Sequence, residues 1–186
     1  MLLVKGTLWC YNYIMENIFV WDNFFDNADK IRDIALSSRF YSPDELMRNV
    51  NWRGFRTREL ESYHNELLIN SKKYILNKIV DQFNLKDYII ETFFHLTYRD
   101  TKNTLENFDK KKWHCDANCR YSGVVYLTPN PPKNSGTSII FNGITNEIEN
   151  CFNRMVVYPA NYTHAPTDLF GDSIKNGRVT LTFFVK

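Results

Sequence analysis

The sequence predicts an α+β protein, mostly β, in which a mixed helix–strand segment over residues 1–87 supports a β-rich half over residues 88–186. Three observations predict it. Apolar residues recur at helical spacing only in the first half. The second half runs as short β-branched and aromatic stretches separated by proline, glycine and asparagine, the rhythm of a barrel or sandwich. The third observation is His114-Cys115-Asp116, followed by His164 fifty residues later (164 − 114) and Arg178 fourteen beyond that (178 − 164). Side chains at i and i+2 of a strand share a face, so His114 and Asp116 point together while Cys115 turns away. The second histidine must arrive from a distant strand, which suits an antiparallel barrel.

The first elements are strands over 2–9 and 13–21, with Asp22-Asn23 breaking the pattern. Asn27 reads as the cap of a helix over 28–37, where Ile31, Ile34 and Ala35 recur at helical spacing. Tyr41-Ser42-Pro43 is a turn or a new helix start. Asn51-Trp52-Arg53-Gly54-Phe55-Arg56-Thr57-Arg58 reads as an ordered surface loop packed by its aromatics, with a substrate-facing loop as the sharper alternative. The clearest helix spans 62–82, with Leu67, Leu68, Tyr74, Ile75, Ile79 and Val80 as its apolar stripe and His64 a surface residue of its first turn.

After a break at 84–87, a long strand over 88–99 carries His95 as a core or pocket-wall residue, and 101–112 is a polar loop. Residues 113–116 form a strand end. Strands over 122–128, 137–141, 154–158 and 178–185 follow, and the prolines of 129–136 keep that segment out of any central strand.

At 186 residues the chain is expected to form one domain, with a core that needs no disulfide staples. Hydrophobic residues at 44% and aromatics at 16% describe a packed globular protein. A net charge of +2 and a pI near 8.3 are too mild to indicate a nucleic-acid partner, and Lys110-Lys111-Lys112 reads as a solvated run. No run of eighteen apolar residues is present, so no membrane span is expected. The opening residues are too short for a secretory apolar region and lack basic residues ahead of it. A cytoplasmic location follows as the expectation, with Cys10, Cys115, Cys119 and Cys151 as thiols.

Two histidines and one carboxylate are the ligand set that leaves open positions on a non-haem Fe(II). Taken singly, His114 is an ordinary polar residue, Asp116 a turn residue and Arg178 a surface charge. Tyr126, Thr137 and Thr180 are ordinary strand residues. A rival set of His114, Cys115 and Cys119 suggests zinc, but no second Cys-x-x-Cys or His-x-x-x-His half-site completes it.

Four blocks in order resemble the iron- and 2-oxoglutarate-dependent oxygenases, in particular their prolyl-4-hydroxylase-like branch. They are Trp113-His114-Cys115-Asp116; Val124-Val125-Tyr126-Leu127-Thr128 with Ser135-Gly136-Thr137; Arg154-Met155-Val156-Val157-Tyr158-Pro159 leading to Thr163-His164-Ala165-Pro166; and Arg178-Val179-Thr180-Leu181-Thr182-Phe183-Phe184. The segment Val20-Trp21-Asp22-Asn23-Phe24-Phe25-Asp26 is similar to the leading segment of such hydroxylases, including ones encoded by bacteriophages.

The resemblance implies a double-stranded β-helix (jelly-roll) core over 88–186, backed by the N-terminal helices. It implies Fe(II) held by His114, Asp116 and His164, with 2-oxoglutarate as co-substrate and O2 as oxidant. Arg178 then pairs with the distal carboxylate of 2-oxoglutarate, as a planar guanidinium fork suits. Thr180, Tyr126 and Thr137 would support that carboxylate, and Tyr98 would line the pocket. The substrate implied is a small molecule or a peptide, with prolyl or another amino-acid side chain as the hydroxylated group. Only Gly136 precedes Thr137 where many relatives have two glycines. The long interval to Arg178, holding Asp168–Asp172, is expected to form a loop at the pocket mouth.

Two other classes stay open on sequence: a cupin-like metal barrel that binds or isomerises a small molecule without consuming 2-oxoglutarate, and a barrel kept only for interaction. Cupin-like sites usually supply more histidines than the two of this motif, and an intact triad with Arg178 speaks against the inert barrel.

Overall fold

A computed structural model describes residues 13–15, 17–46, 54–99 and 113–186. The expected strand over 2–9, the Asn51-Trp52-Arg53 half of the arginine-rich segment, the 101–112 loop and Cys10 lie outside the described residues.

The stretch expected as one strand over 13–21 folds back on itself. It forms β1 (Tyr13–Met15) and β2 (Ile18–Trp21), paired antiparallel with Met15 opposite Ile18. Asn17 stands between them at φ 72°, a left-handed conformation that asparagine tolerates. Helix α1 (Ala28–Ser37) follows, its Ala28, Ile31 and Ala35 buried. Asn27 caps it with its carbonyl, which accepts from Ile31 N–H at 3.0 Å, and not with its side chain.

Gly54 leads into a two-residue strand, β3 (Phe55–Arg56), so this part of the segment joins a sheet edge. Helix α2 (Glu66–Phe83) starts later than its apolar pattern suggests. Residues Leu60–Tyr63 form a 3-10 turn, and His64 ends it at φ 50°. Asn65 then accepts from Leu67 and Leu68 N–H at 3.0 and 3.3 Å, satisfying two orphan donors of the new helix. Leu68, Ser71, Ile75 and Ile79 form its buried stripe, while Tyr74 stays 42% exposed.

The β-rich half comprises β4 (Ile90–Thr97), β5 (Tyr121–Tyr126), β6 (Thr137–Phe141), β7 (Ile144–Ile148), β8 (Met155–Pro159), β9 (Thr163–Pro166) and β10 (Arg178–Val185). A major sheet runs β1-β2-β8-β5-β10-β4-β3 and a minor sheet β7-β6-β9, all neighbours antiparallel. Strands from the first half thus extend both edges of the major sheet.

The period of two sorts each strand's side chains into two cores. Phe19, Phe94, Leu96, Val125, Leu127, Met155, Val157, Val179, Leu181 and Phe183 face the helices, packed on Ile31, Leu68, Ile75 and Ile79. Ile18, Val20, Val124, Tyr126, Val156 and Tyr158 face the other way, onto Ile139 and Ile148 of the minor sheet. This is the two-layer jelly roll with a helical backing. Residues 178, 180 and 182 alternate with the helix-facing 179, 181 and 183, so Arg178, Thr180 and Thr182 belong to the inter-sheet face.

The long interval before Arg178 forms a loop, and its Asp168, Phe170, Gly171 and Asp172 line a cavity with Arg99, Pro132 and Ser135. Leu169 and Phe170 are buried at 8% exposure each, and the Arg99 amide donates to Gly171 O at 2.9 Å. Arg32 of α1 donates to Lys175 O at 3.2 Å. The segment covers the strand ends at which Arg178 opposes Thr97. Burial of Leu169 and Phe170 holds the loop against the sheet.

Candidate metal centre

The first histidine and the aspartate come from the short stretch that leads into β5. His114 forms an antiparallel bridge with His164: His114 N–H donates to His164 O at 3.1 Å and His164 N–H to His114 O at 2.9 Å. Asp116 N–H donates to Ala160 O at 2.9 Å, which fixes the carboxylate one pleat further along. The expected side-chain alternation holds, since Cys115 turns away to donate to Asn161 O at 3.3 Å.

One ligand atom each from His114, Asp116 and His164 lies within 4.8 Å of the other two. His114 Nε2 is 3.7 Å from Asp116 Oδ1, and His164 Nε2 is 3.4 Å from Asp116 Oδ2. His164 Nδ1 stands 2.9 Å from the Tyr162 carbonyl. A carbonyl only accepts, so Nδ1 carries the proton and the Nε2 lone pair is free to face the cluster, the arrangement that orients metal-bound histidines. Burial lowers the His164 pKa, with the Asp116 charge pulling it up and His114 adding to the lowering. The set offers two imidazole nitrogens and a carboxylate to one ion, and His114 is exposed enough to leave the outer side open.

Deeper between the sheets lies a second polar group. Arg178 is 4% exposed. Its Nη2 donates to Thr137 Oγ1 at 3.3 Å and lies 3.5 Å from Gly136 O, while its guanidinium sits 5.3 Å above the Tyr126 ring. Arg178 Nε is buried with no hydrogen-bond partner, and among the described residues no carboxylate pairs with this cation. Tyr126 and Thr137 share a hydrogen bond of 2.6 Å. Burial raises the Tyr126 phenol pKa, more than nearby Arg178 lowers it, so the ring stays a neutral donor. Thr180 lies one pleat along from Arg178, fully buried, with its hydroxyl 3.1 Å from Thr182 Oγ1.

The structure therefore gathers His114, Asp116 and His164, and separately Arg178, Tyr126, Thr137 and Thr180. It does not bring Tyr98 to either. Tyr98 packs with the helix-facing core and stacks on Phe55 at 5.7 Å, because it shares the parity of Phe94 and Leu96 rather than that of His95 and Thr97.

Two residues that sequence reading passed over belong here. Thr97 opposes Arg178 on β4, and its hydroxyl is buried and unpartnered. Its parity with His95 was the available signal. Tyr158 stands 4.8 Å from the His164 ring, and burial, then the Asp116 charge, holds its phenol pKa well above the usual value.

No protein-family model and no curated protein matches the chain. Solved structures do. A prolyl-4-hydroxylase of Pseudomonas putida aligns over 91% of this chain and 92% of its own, at 16% identity and TM-score 0.59. A 2OG-Fe(II) oxygenase family oxidoreductase of Burkholderia pseudomallei covers 91% and 84%, at 15% identity and TM-score 0.62. HygX of Streptomyces hygroscopicus, crystallised with nickel and 2-oxoglutarate, covers 91% and 82%, at 9% identity and TM-score 0.60. The chain has the jelly-roll fold of these oxygenases. In this oxygenase fold the His-Asp-His cluster sits where β9 and the lead-in to β5 meet, and Arg178 opens β10. Among the described residues no helix is long and apolar enough to cross a membrane.

Proposed function

We propose that the chain is a non-haem Fe(II), 2-oxoglutarate-dependent dioxygenase of the prolyl-4-hydroxylase-like branch, which hydroxylates an unactivated C–H bond. The observation that carries the reading is the pairing of two sites: three ligand atoms gathered within 4.8 Å of one another, and a buried guanidinium that no carboxylate of the described residues pairs with. A lone buried charge is costly, and an enclosed fork of donors suits a carboxylate. The donor set fits Fe(II), and the unpartnered Nε of Arg178 fits a dicarboxylic acid.

His114, Asp116 and His164 hold the iron in this reading. Bound iron with O2 supplies the oxidising chemistry, consuming 2-oxoglutarate to succinate and CO2 as the substrate gains its hydroxyl. The protein's own part is orientation. Arg178 binds the far carboxylate of 2-oxoglutarate, Thr137 and Tyr126 present hydroxyls to the same end, and Thr180 extends that polar wall. The inter-sheet face excludes water from the co-substrate with Val124, Val156 and Ile139.

The domain is proposed to run over 1–186, with the site in 88–186. A cytoplasmic setting fits Cys115, Cys119 and Cys151, which are free thiols. The substrate is proposed to be a small molecule or a peptide carrying the target side chain, prolyl or another. Fold leaves that choice open, since HygX has been crystallised with hygromycin B and another neighbour is a prolyl hydroxylase.

The test is a titration with Fe(II) and 2-oxoglutarate under argon. A weak visible charge-transfer band, followed by succinate release on admitting air, is the expected result. No band and no succinate would remove the proposal.

A further inference from the structure

One cavity lies outside both polar groups of the inter-sheet face. It measures about 380 Å³, and Pro132, Ser135, Asp168, Phe170 and Asp172 line it together with Arg99. The minor sheet fixes its place. Ile139 opposes His164 and Thr137 opposes Pro166, so Ser135 and Asp168 each stand two residues beyond that last pair. The Thr167 amide donates to Gly136 O at 3.1 Å, and Arg178 Nη2 lies 3.5 Å from the same oxygen. Gly136, Thr137 and Arg178 therefore stand between the cavity and the metal ligands.

Phe170 and Pro132 give the lining apolar surface, and its charge is acidic on balance. Arg99 pairs with Asp168 at 3.5 Å and donates to Leu169 O at 3.2 Å. Asp172 has no such counter-charge. Its Oδ1 accepts from Asn176 Nδ2 at 3.0 Å, and no cation pairs with it among the described residues. The loop holds this carboxylate in place. Asn176 Oδ1 accepts from the Asp172 and Ser173 amides at 3.0 and 3.1 Å. Gly171 takes φ 73°, where a Cβ would run into Asn176 O. A preformed acceptor beside apolar surface pays little ordering entropy when a ligand arrives.

We propose that this cavity binds a small organic ammonium ion, with Asp172 accepting from its N–H groups and Phe170 and Pro132 packing on its methylenes. A volume of about 380 Å³ is at the low end of small-molecule sites, which run over roughly 300–1,000 Å³. An ammonium group offers three donors and no acceptor, which matches a carboxylate that lacks a counter-charge. A free alkylamine and the side chain of a lysyl residue both present this chemistry. The site uses none of the residues assigned to metal or co-substrate, so it stands apart from the oxygenase reading.

The test is an amide-resolved NMR titration of the metal-free protein at neutral pH, with n-pentylammonium, 1-pentanol, pentanoate and an Nα-acetylated lysine amide as probes. Pentylammonium is expected to move the Gly171 and Asp172 amides and to bind wild type about threefold or more tighter than pentanol, the scale of one solvent-exposed charge pair. Asp172→Asn keeps an Oδ1 acceptor for Asn176 and should bring that ratio close to one. A purely structural effect of the substitution would weaken ammonium and alcohol alike and leave the ratio unchanged, which overturns the proposal.

Equal binding of ammonium and alcohol to wild type overturns it without any variant, and so does pentanoate that binds as tightly as pentylammonium. An ammonium preference removed by Asp116→Asn and not by Asp172→Asn assigns the effect to the metal cluster and also overturns it. Response at Gly171 and Asp172 to the lysine amide, or to pentylammonium alone, tells whether a lysyl side chain or a free amine is the source, and both support the proposal. The anaerobic band on wild type is scored separately, so failure of the oxygenase reading is distinguishable from failure at Asp172.

Discussion

His114 and His164 are tied to each other by both of their backbone amides, at 3.1 and 2.9 Å, while their rings stand 4.3 Å apart. The side chains therefore meet because the main chain brings them together, and not the reverse. Removing one imidazole should leave the bridge in place. His114→Ala and Asp116→Ala are expected to keep the far-UV circular dichroism of the wild type and to lose Fe(II) binding and succinate formation. Full turnover by either variant would contradict the ligand assignment.

Arg178 gives a prediction with opposite signs. Its guanidinium is buried and pairs with no carboxylate among the described residues, so it is expected to destabilise the ligand-free fold and, in the proposed reading, to bind the co-substrate. Arg178→Met, of similar reach, should stabilise the ligand-free protein by about 1–3 kcal/mol, which at this size raises Tm by roughly 2–12 °C. The same variant should lose the Tm increase that 2-oxoglutarate is expected to give the wild type, and Arg178→Ala should raise the apparent requirement for 2-oxoglutarate. Differential scanning fluorimetry with and without 2-oxoglutarate decides it. A variant that stays 2-oxoglutarate-responsive clears Arg178 of the role.

Much of this site was legible because its residues obey the strand period. His114 and Asp116 share a face across Cys115, and Arg178 and Thr180 share one across Val179, as alternation requires. Parity also shows why Tyr98 went astray: it follows Thr97 by one residue, and one residue is the difference between the inter-sheet face and the helix face. Strand β7 went unread because Ile144-Thr145-Asn146-Glu147-Ile148 is exposed along most of its length, so burial left no pattern. Its signal was the preceding Asn142-Gly143, both at positive φ (50° and 75°), a two-residue hairpin turn. The arginine-rich segment was illegible for a different reason. Two residues of it pair at a sheet edge, and a two-residue strand has no period to read.

Gly123 stands where β5 has no room for a side chain. A Cβ there would collide with the Phe183 ring and with Val156 O. Neither can retreat, since Phe183 is fully buried in the helix-facing core and Val156 is bonded into β8. Gly123→Ala is expected to cost about 1–3 kcal/mol, a fall in Tm of several degrees. Pairing it with Phe183→Leu should recover part of the loss, because the smaller side chain vacates the space. Thermal unfolding of the two single variants and the double variant tests this. Strict additivity would show that the collision is relieved elsewhere.

His164 makes the metal-free protein sensitive to pH in a defined direction. Burial places its pKa below the ordinary 6.5, against the pull of Asp116. The folded state therefore resists a proton that the unfolded chain accepts. Its contribution to stability is complete above about pH 6.5 and is lost as pH falls from there through the lowered folded value. The neutral ring is also the form that binds metal, so the lowered pKa keeps His164 available to Fe(II) further into acid than an ordinary histidine would be. Urea denaturation of the metal-free protein across pH 5–8 checks the first statement, and anaerobic metal titration the second. His164→Ala should flatten the stability profile in that window. A profile that keeps its slope in the variant would assign the proton to another group.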